Sequence, residues 1–260
     1  MSDLTLTMNQ QPAITVVNLA YLAVLEREGR RPDVSAGHSL GEFSALCAAG
    51  VISREDVMRL VSKRGELMHR ESLKHEGAMA AIVKLSMEDV SGCVATAMSA
   101  GVVSVANHNS EQQIAISGSP EAVDKAAALA VEKGGRAIRL KVSGAWHSEL
   151  IKGAEEEFKE FLDTVSFHQP ATPVIHNVTA ESCGDPLEIK MLLARQLCSP
   201  VRWYESIQNL MRQQVTDFVE VGPGKVLSGL VKKSLPADYP AKIHNVNSLS
   251  TLEEYLKDDA

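Results

Sequence analysis

Gly37-His38-Ser39-Leu40-Gly41 is the stretch that decides how this chain folds. It follows Asp33-Val34-Ser35-Ala36, which reads as a short strand, and leads into Glu42-Phe43-Ser44-Ala45-Leu46-Cys47-Ala48-Ala49, which reads as a helix. A G-x-S-x-G between strand and helix is a nucleophile elbow. Its glycines allow the sharp turn, and its serine is pushed out over the carboxyl edge of a parallel sheet. There the helix N-terminus and the backbone N–H of Leu40 can stabilise an oxyanion on an attacked carbonyl. Ser39 is the candidate nucleophile.

Working outward, residues 13–28 carry helical periodicity after Pro12, a residue suited to a first helical turn. Ser53-Arg54-Glu55-Asp56 is a capping signature for a helix running to about Arg70, and residues 74–77 read as a linker. The next segment has its own logic. Strands at 78–83, 102–106, 113–117 and 136–142 and helices at 86–98 and 120–132 come in the order β-α-β-β-α-β. Residues 74–145 are therefore expected to form a ferredoxin-like subdomain inserted into an α/β core made of residues 1–73 and 146–260. Downstream, helices at 148–165, 186–197, 204–213 and up to Lys233 alternate with strands at 173–178, 217–221 and 242–246. Such alternation predicts a largely parallel, hydrolase-like sheet whose ligands sit at the carboxyl ends of its strands.

The 260 residues and their 45% hydrophobic fraction suit a globular chain with a real core. A formal charge of −7 argues against a nucleic-acid surface, which needs a basic face. The four cysteines, Cys47, Cys93, Cys183 and Cys198, have neither C-x-x-C nor metal spacing, so no metal site is expected and reduced, buried thiols are. No run reaches the about 18 apolar residues of a membrane span, and residues 1–11 carry no signal-peptide pattern. A cytoplasmic protein with no membrane partner is expected.

A serine nucleophile needs a base. His38 lies inside the elbow and points away from the face that Ser39 serves, and His69, His75, His108, His168, His176 and His244 have no special setting. His147 differs. In Val142-Ser143-Gly144-Ala145-Trp146-His147-Ser148 a strand ends and a helix begins, forming a second carboxyl-end loop within reach of Ser39. No Asp or Glu between them stands out as the group that orients the imidazole, and a backbone carbonyl could do so. Arg64, on the helix after the elbow unit, would fork onto a carboxylate if it faced the site; the residue pattern by itself favours a surface arginine on an amphipathic helix.

Taken together these pieces resemble the malonyl-CoA:acyl carrier protein transacylase family. The likeness runs through Gln11-Pro12-Ala13, Gly37-His38-Ser39-Leu40-Gly41-Glu42, Arg64-Gly65, Gly77-Ala78-Met79-Ala80, Asn107-His108-Asn109-Ser110 and Ser143-Gly144-Ala145-Trp146-His147-Ser148. It continues through Asn177-Val178, Gln196-Leu197, Pro200-Val201-Arg202-Trp203 and Glu220-Val221-Gly222-Pro223-Gly224-Lys225-Val226-Leu227. The resemblance implies that Ser39 is acylated and His147 is its base. It makes Arg64 the grip on the free malonyl carboxylate, and the main-chain carbonyl of Gln196 the group that holds the histidine. Gln11 and Asn109 match positions lining the pocket, and Trp146 matches a bulky aromatic of malonyl-using members. Malonyl-CoA and an acyl carrier protein are the implied partners. CoA enters as a thioester substrate and phosphopantetheine arrives on the carrier, so no resident cofactor is implied. The same resemblance places a strand and a Gly-Gln-Gly loop ahead of the region matched here. The expectation is that about fifty residues are absent, on the scale of a third of a common domain, and with them one oxyanion donor. An acyl-thioester hydrolase, and a weakly active CoA- or carrier-binding domain, are the other readings.

Overall fold

The computed structural model describes residues 3–257. Its elements run α1 (Thr7–Arg27), β1 (Ser35–Ala36), α2 (Gly41–Ala48), α3 (Arg54–Lys74), β2 (Ala78–Val83), α4 (Met87–Ala97), β3 (Val103–Ser110), β4 (Gln113–Gly118) and α5 (Pro120–Glu132). They continue with β5 (Arg136–Arg139), α6 (Gly153–Asp163), β6 (Val174–Ile175), α7 (Pro186–Gln196), α8 (Trp203–Arg212), β7 (Asp217–Val221), α9 (Val226–Ser234), β8 (Lys242–Val246) and α10 (Leu249–Lys257).

The inserted unit has the strand order β3-β4-β2-β5, all neighbours antiparallel, which is the ferredoxin-like arrangement. Its two faces follow from the period-2 pattern of β2. Ala78, Ala80 and Ile82 join the cluster under α4 and α5, while Met79 lies on the other face with Ala106, Ala115, Leu140 and Trp146. Ser86 caps α4, accepting from the N–H of Asp89.

The parallel strands form two pairs, β1 with β6 and β7 with β8. Pairing of β1 and β6 covers only Ser35 with Val174 and Ala36 with Ile175. The longer strand expected at 173–178 stops at Ile175 because His176 and Asn177 turn inward to bond other groups. Phe43, Leu46, Leu60, Phe158, Val174 and Leu193 fill a core between α1, α2, α3, α6 and α7. Ile175, Val201, Trp203 and Phe218 form a second cluster, packed on α8 and α9. The subdomain is stitched to this region by backbone bonds, His108 N–H to Val201 O at 2.9 Å and Val201 N–H to Ala106 O at 2.8 Å.

Three helices depart from the sequence reading. α1 starts at Thr7, so Pro12 sits inside it and Met8 loses the carbonyl partner that a residue with an N–H would supply. Tertiary packing offsets this. A side chain at Gly65 of α3 would come within 3.0 Å of the Thr7 carbonyl oxygen, so the bare glycine lets α3 lie against the first turn of α1. The helix expected at 148–165 instead opens with a 3-10 turn at Glu149–Ile151 before α6 begins. α10 was not expected at all.

Phe158 of α6 meets Phe43 of the elbow helix α2 edge-on, ring centroids 6.1 Å apart, and both are fully buried. Truncating Phe158→Ala should lower unfolding free energy by about 3–5 kcal/mol, read from urea denaturation. A loss below about 1 kcal/mol would mean that this cluster does not carry the core.

Candidate active site

The elbow forms as its glycines demand. A Cβ on Gly37 would lie 2.0 Å from the carbonyl carbon of Gly41, so nothing larger fits the turn. Ser39 adopts φ 50°, left-handed backbone that costs a non-glycine residue about 1–3 kcal/mol. His147 is likewise left-handed, at φ 59°. Two residues in this conformation face one another across the site.

Ser39 Oγ lies 2.9 Å from His147 Nε2, and His147 Nδ1 lies 2.8 Å from the main-chain oxygen of Gln196. A carbonyl can only accept, so Nδ1 carries the proton and Nε2 presents its lone pair to the serine hydroxyl. Burial, and then the Arg64 guanidinium, push the histidine's pKa down to about 3, so it is neutral at pH 7. His38 is neutral as well, held below its usual range by burial. Its Nε2 is 2.8 Å from Asn109 Oδ1, and its ring lies 5.6 Å from that of Trp203.

Arg64 is 1% exposed, which settles the choice between surface and site. From α3 its Nη1 donates to Gln11 Oε1 at 2.8 Å, and its Nη2 donates at 3.0 Å both to Ser39 Oγ and to Gln196 Oε1. Phe43 lies under the guanidinium, 5.7 Å from Cζ to ring centroid. Burial lowers its pKa to about 10, with Glu42 opposing that shift, so Arg64 stays charged. Its Nε is buried with no hydrogen-bond partner. A buried, unsatisfied donor of a cation beside the nucleophile is unused capacity for an anionic acceptor.

The remaining expected residues fall around this centre. Leu40 is the N-cap of α2, and its N–H takes no acceptor among the described residues, leaving it free to meet an oxyanion. Gln11 contacts Arg64 and, through Nε2, the Met68 sulfur at 3.2 Å. Asn109 reaches the elbow through His38. Trp146 packs on the helical core and on Met79, Ala106 and Ala115, so it is a residue of the seam between core and subdomain. Among the described residues no three His, Cys, Asp or Glu side chains converge as a metal site requires.

Glu42, His176 and Asn177 had no assigned role, yet they stand immediately behind the site. The Glu42 carboxylate lies 2.7 Å from His176 Nδ1 and accepts from Gln196 Nε2 at 2.6 Å. Glu42 and Asn177 both lie in short motifs of the resemblance. Nothing about their residue type separates a buried partner of the site from a helix-start glutamate or a loop asparagine.

A neutral His147 has a signature in stability. In the unfolded chain the imidazole binds a proton below about pH 6.5, whereas the folded site refuses it until about pH 3. The stability this contributes is fully present above 6.5 and is lost as pH falls through that window. The stability gap between the wild-type protein and His147→Gln should shrink by about 2 kcal/mol between pH 7 and pH 5 in urea unfolding. A gap independent of pH would contradict the buried, neutral histidine.

The family model for the acyl transferase domain matches residues 2–257. A malonyl CoA-acyl carrier protein transacylase of Bacillus subtilis (strain 168) is 48% identical over 233 residues, covering 89% of this chain and 74% of that protein. Among solved structures, an acyl carrier protein S-malonyltransferase from Vibrio cholerae O1 biovar eltor superposes with a TM-score of 0.92 at 40% identity, over 98% of this chain and 83% of that one. A malonyl-transacylase in complex with its type II PKS acyl-carrier protein gives a TM-score of 0.94 at 35% identity, over 98% and 82% of the two chains.

Proposed function

The chain belongs to the acyl transferase domain family, and from that premise we propose that it transfers a malonyl group from malonyl-CoA to the phosphopantetheine thiol of an acyl carrier protein. The observation that carries the reading is Arg64, a buried cation 3.0 Å from the nucleophile with an unpartnered Nε–H. A malonyl thioester brings one carboxylate, and that carboxylate satisfies the orphaned donor while it seats the thioester carbonyl over Ser39.

The reaction proceeds in two halves. Ser39 Oγ attacks the thioester carbon and its proton passes to His147 Nε2, while the Leu40 N–H meets the oxyanion. Collapse breaks the C–S bond, and the histidine returns the proton to the departing CoA thiolate. The carrier's thiol then gives its proton to His147 and attacks the serine ester, which releases Ser39 with the proton restored. Gln196 holds Nδ1–H throughout, so the emerging imidazolium keeps an acceptor. In the free protein Arg64 Nη2 donates to the same Oγ, which leaves less lone-pair density for attack. A substrate carboxylate competes for that guanidinium and frees the oxygen. The proposal calls for no resident cofactor and places the reaction in the cytoplasm, in fatty-acid or polyketide synthesis. No helix among the described residues is long and apolar enough to cross a membrane.

Ser39→Ala should abolish acylation by malonyl-CoA. Arg64→Ala should lower kcat/KM for malonyl-CoA by about 10- to 100-fold, the worth of a hydrogen bond to a charged group, and gain relative activity on acetyl-CoA. Product analysis with and without carrier protein checks the acceptor. Malonyl-carrier should accumulate when carrier is present, whereas rapid free malonate without it would make the chain a hydrolase. An unchanged malonyl-to-acetyl ratio in Arg64→Ala would remove the arginine from the acyl pocket.

A further inference from the structure

Asn177 is 1% exposed and spends every polar group it has. Its Oδ1 accepts the Ser39 N–H at 2.6 Å, and its Nδ2 donates to the Gly37 carbonyl at 2.6 Å. Its own N–H donates to the Glu42 carboxylate at 3.3 Å, and its carbonyl accepts the Arg202 N–H at 3.0 Å. The amide has one permitted orientation, since the Ser39 N–H demands an acceptor and the Gly37 carbonyl demands a donor. The side chain therefore bridges the backbone on both sides of His38 and meets the serine at the residue that carries φ 50°.

We propose that Asn177 is a positioning residue that clamps the elbow across Ser39, holding the serine in the left-handed conformation from which its hydroxyl meets both His147 and the substrate. Left-handed backbone persists at a serine only where its surroundings over-determine it. Elbow hydrogen bonds alone do not: the Gly41 N–H to His38 O and Glu42 N–H to Ser39 O bonds begin α2 but leave the Ser39 and Gly37 peptides to be held from outside. Asn177 holds both. It is itself fixed by Glu42 on α2, so the clamp belongs to the body on which the elbow rests. With the Ser39 N–H committed to Asn177, the oxyanion falls to the Leu40 N–H, and a small rotation at Ser39 would misalign both nucleophile and donor.

This inference rests on the acyl-transfer reading, and Ser39→Ala assayed alongside reports on that reading alone. In Asn177→Asp the shape is kept while an acceptor replaces the donor facing the Gly37 carbonyl; Asn177→Ala removes both bonds. Each variant is checked for a cooperative thermal melt, then assayed for malonyl transfer and for inactivation by phenylmethanesulfonyl fluoride, an uncharged serine reagent that ignores Arg64. Expected is a fall in kcat of about 10- to 100-fold, the scale of a displacement near 1 Å at a reacting group, with a similar slowing of inactivation. KM for malonyl-CoA and the malonyl-to-acetyl ratio should stay within about twofold, because Asn177 makes no hydrogen bond to Arg64 or to Gln11 and Gln196, the two glutamines that hold it. The proposal is overturned if a folded variant keeps wild-type kcat and inactivation rate, or if KM rises while kcat holds. Failure of both variants to fold would overturn it too, making Asn177 a residue of stability alone.

Discussion

A guanidinium with no access to water has to be accepted by its neighbours, and Arg64 sets the arrangement of everything near it. Removing one partner of a buried charge costs about 3–5 kcal/mol, so the residues around Arg64 are not free to drift. Gln11 comes from α1, Gln196 from the end of α7 and Ser39 from the elbow, while α3 supplies the arginine itself. Those elements enclose the main hydrophobic core, so the packed body and the polar centre specify one another. The close approach of α1 to α3 at Gly65, one residue along from Arg64, belongs to the same arrangement. Of its three nitrogens, Nε alone has no partner among the described residues.

Gln196 explains how such a site works without a carboxylate on its histidine. Glu42 offers only acceptors and Arg64 only donors, so a glutamine lying between them can point its amide one way: Nε2 to Glu42 and Oε1 to Arg64. The same Nε2 donates to the Ser39 carbonyl at 3.0 Å. With its side chain fixed at three points, the residue's main-chain oxygen is set for His147 Nδ1. The negative charge that a hydrolase places on its histidine is here one residue away, where it balances the arginine instead. His147 remains a weak base in the free protein, through burial first and Arg64 second, and an arriving carboxylate that neutralises Arg64 would remove the second of those causes.

What could be read in advance follows from which signals are local. The elbow was legible because its glycines are a steric necessity, and the β-α-β-β-α-β unit because each strand and cap carries its own periodicity. His147 was legible because strand-end loops converge at one edge of a parallel sheet. Arg64 was not, since a helical arginine looks alike whether it faces water or a nucleophile; only the resemblance drew it inward. The start of α1 was misplaced because Pro12 is a strong local signal that packing against Gly65 overrides. Glu42, His176 and Asn177 stayed silent for a related reason. Their work is to satisfy other groups across more than a hundred residues of sequence, and no spacing encodes that.

On the proposed function, one buried cation organises the free site and then selects an acyl group by its carboxylate. Single-turnover acylation measures this most directly. The protein is mixed with malonyl-CoA or acetyl-CoA, quenched at intervals, and the peptide containing Ser39 is weighed by mass spectrometry. A malonyl ester should form on Ser39 far faster than the acetyl ester and be discharged when carrier protein is added. Equal rates for the two thioesters, or an acyl group found on any residue other than Ser39, would contradict it.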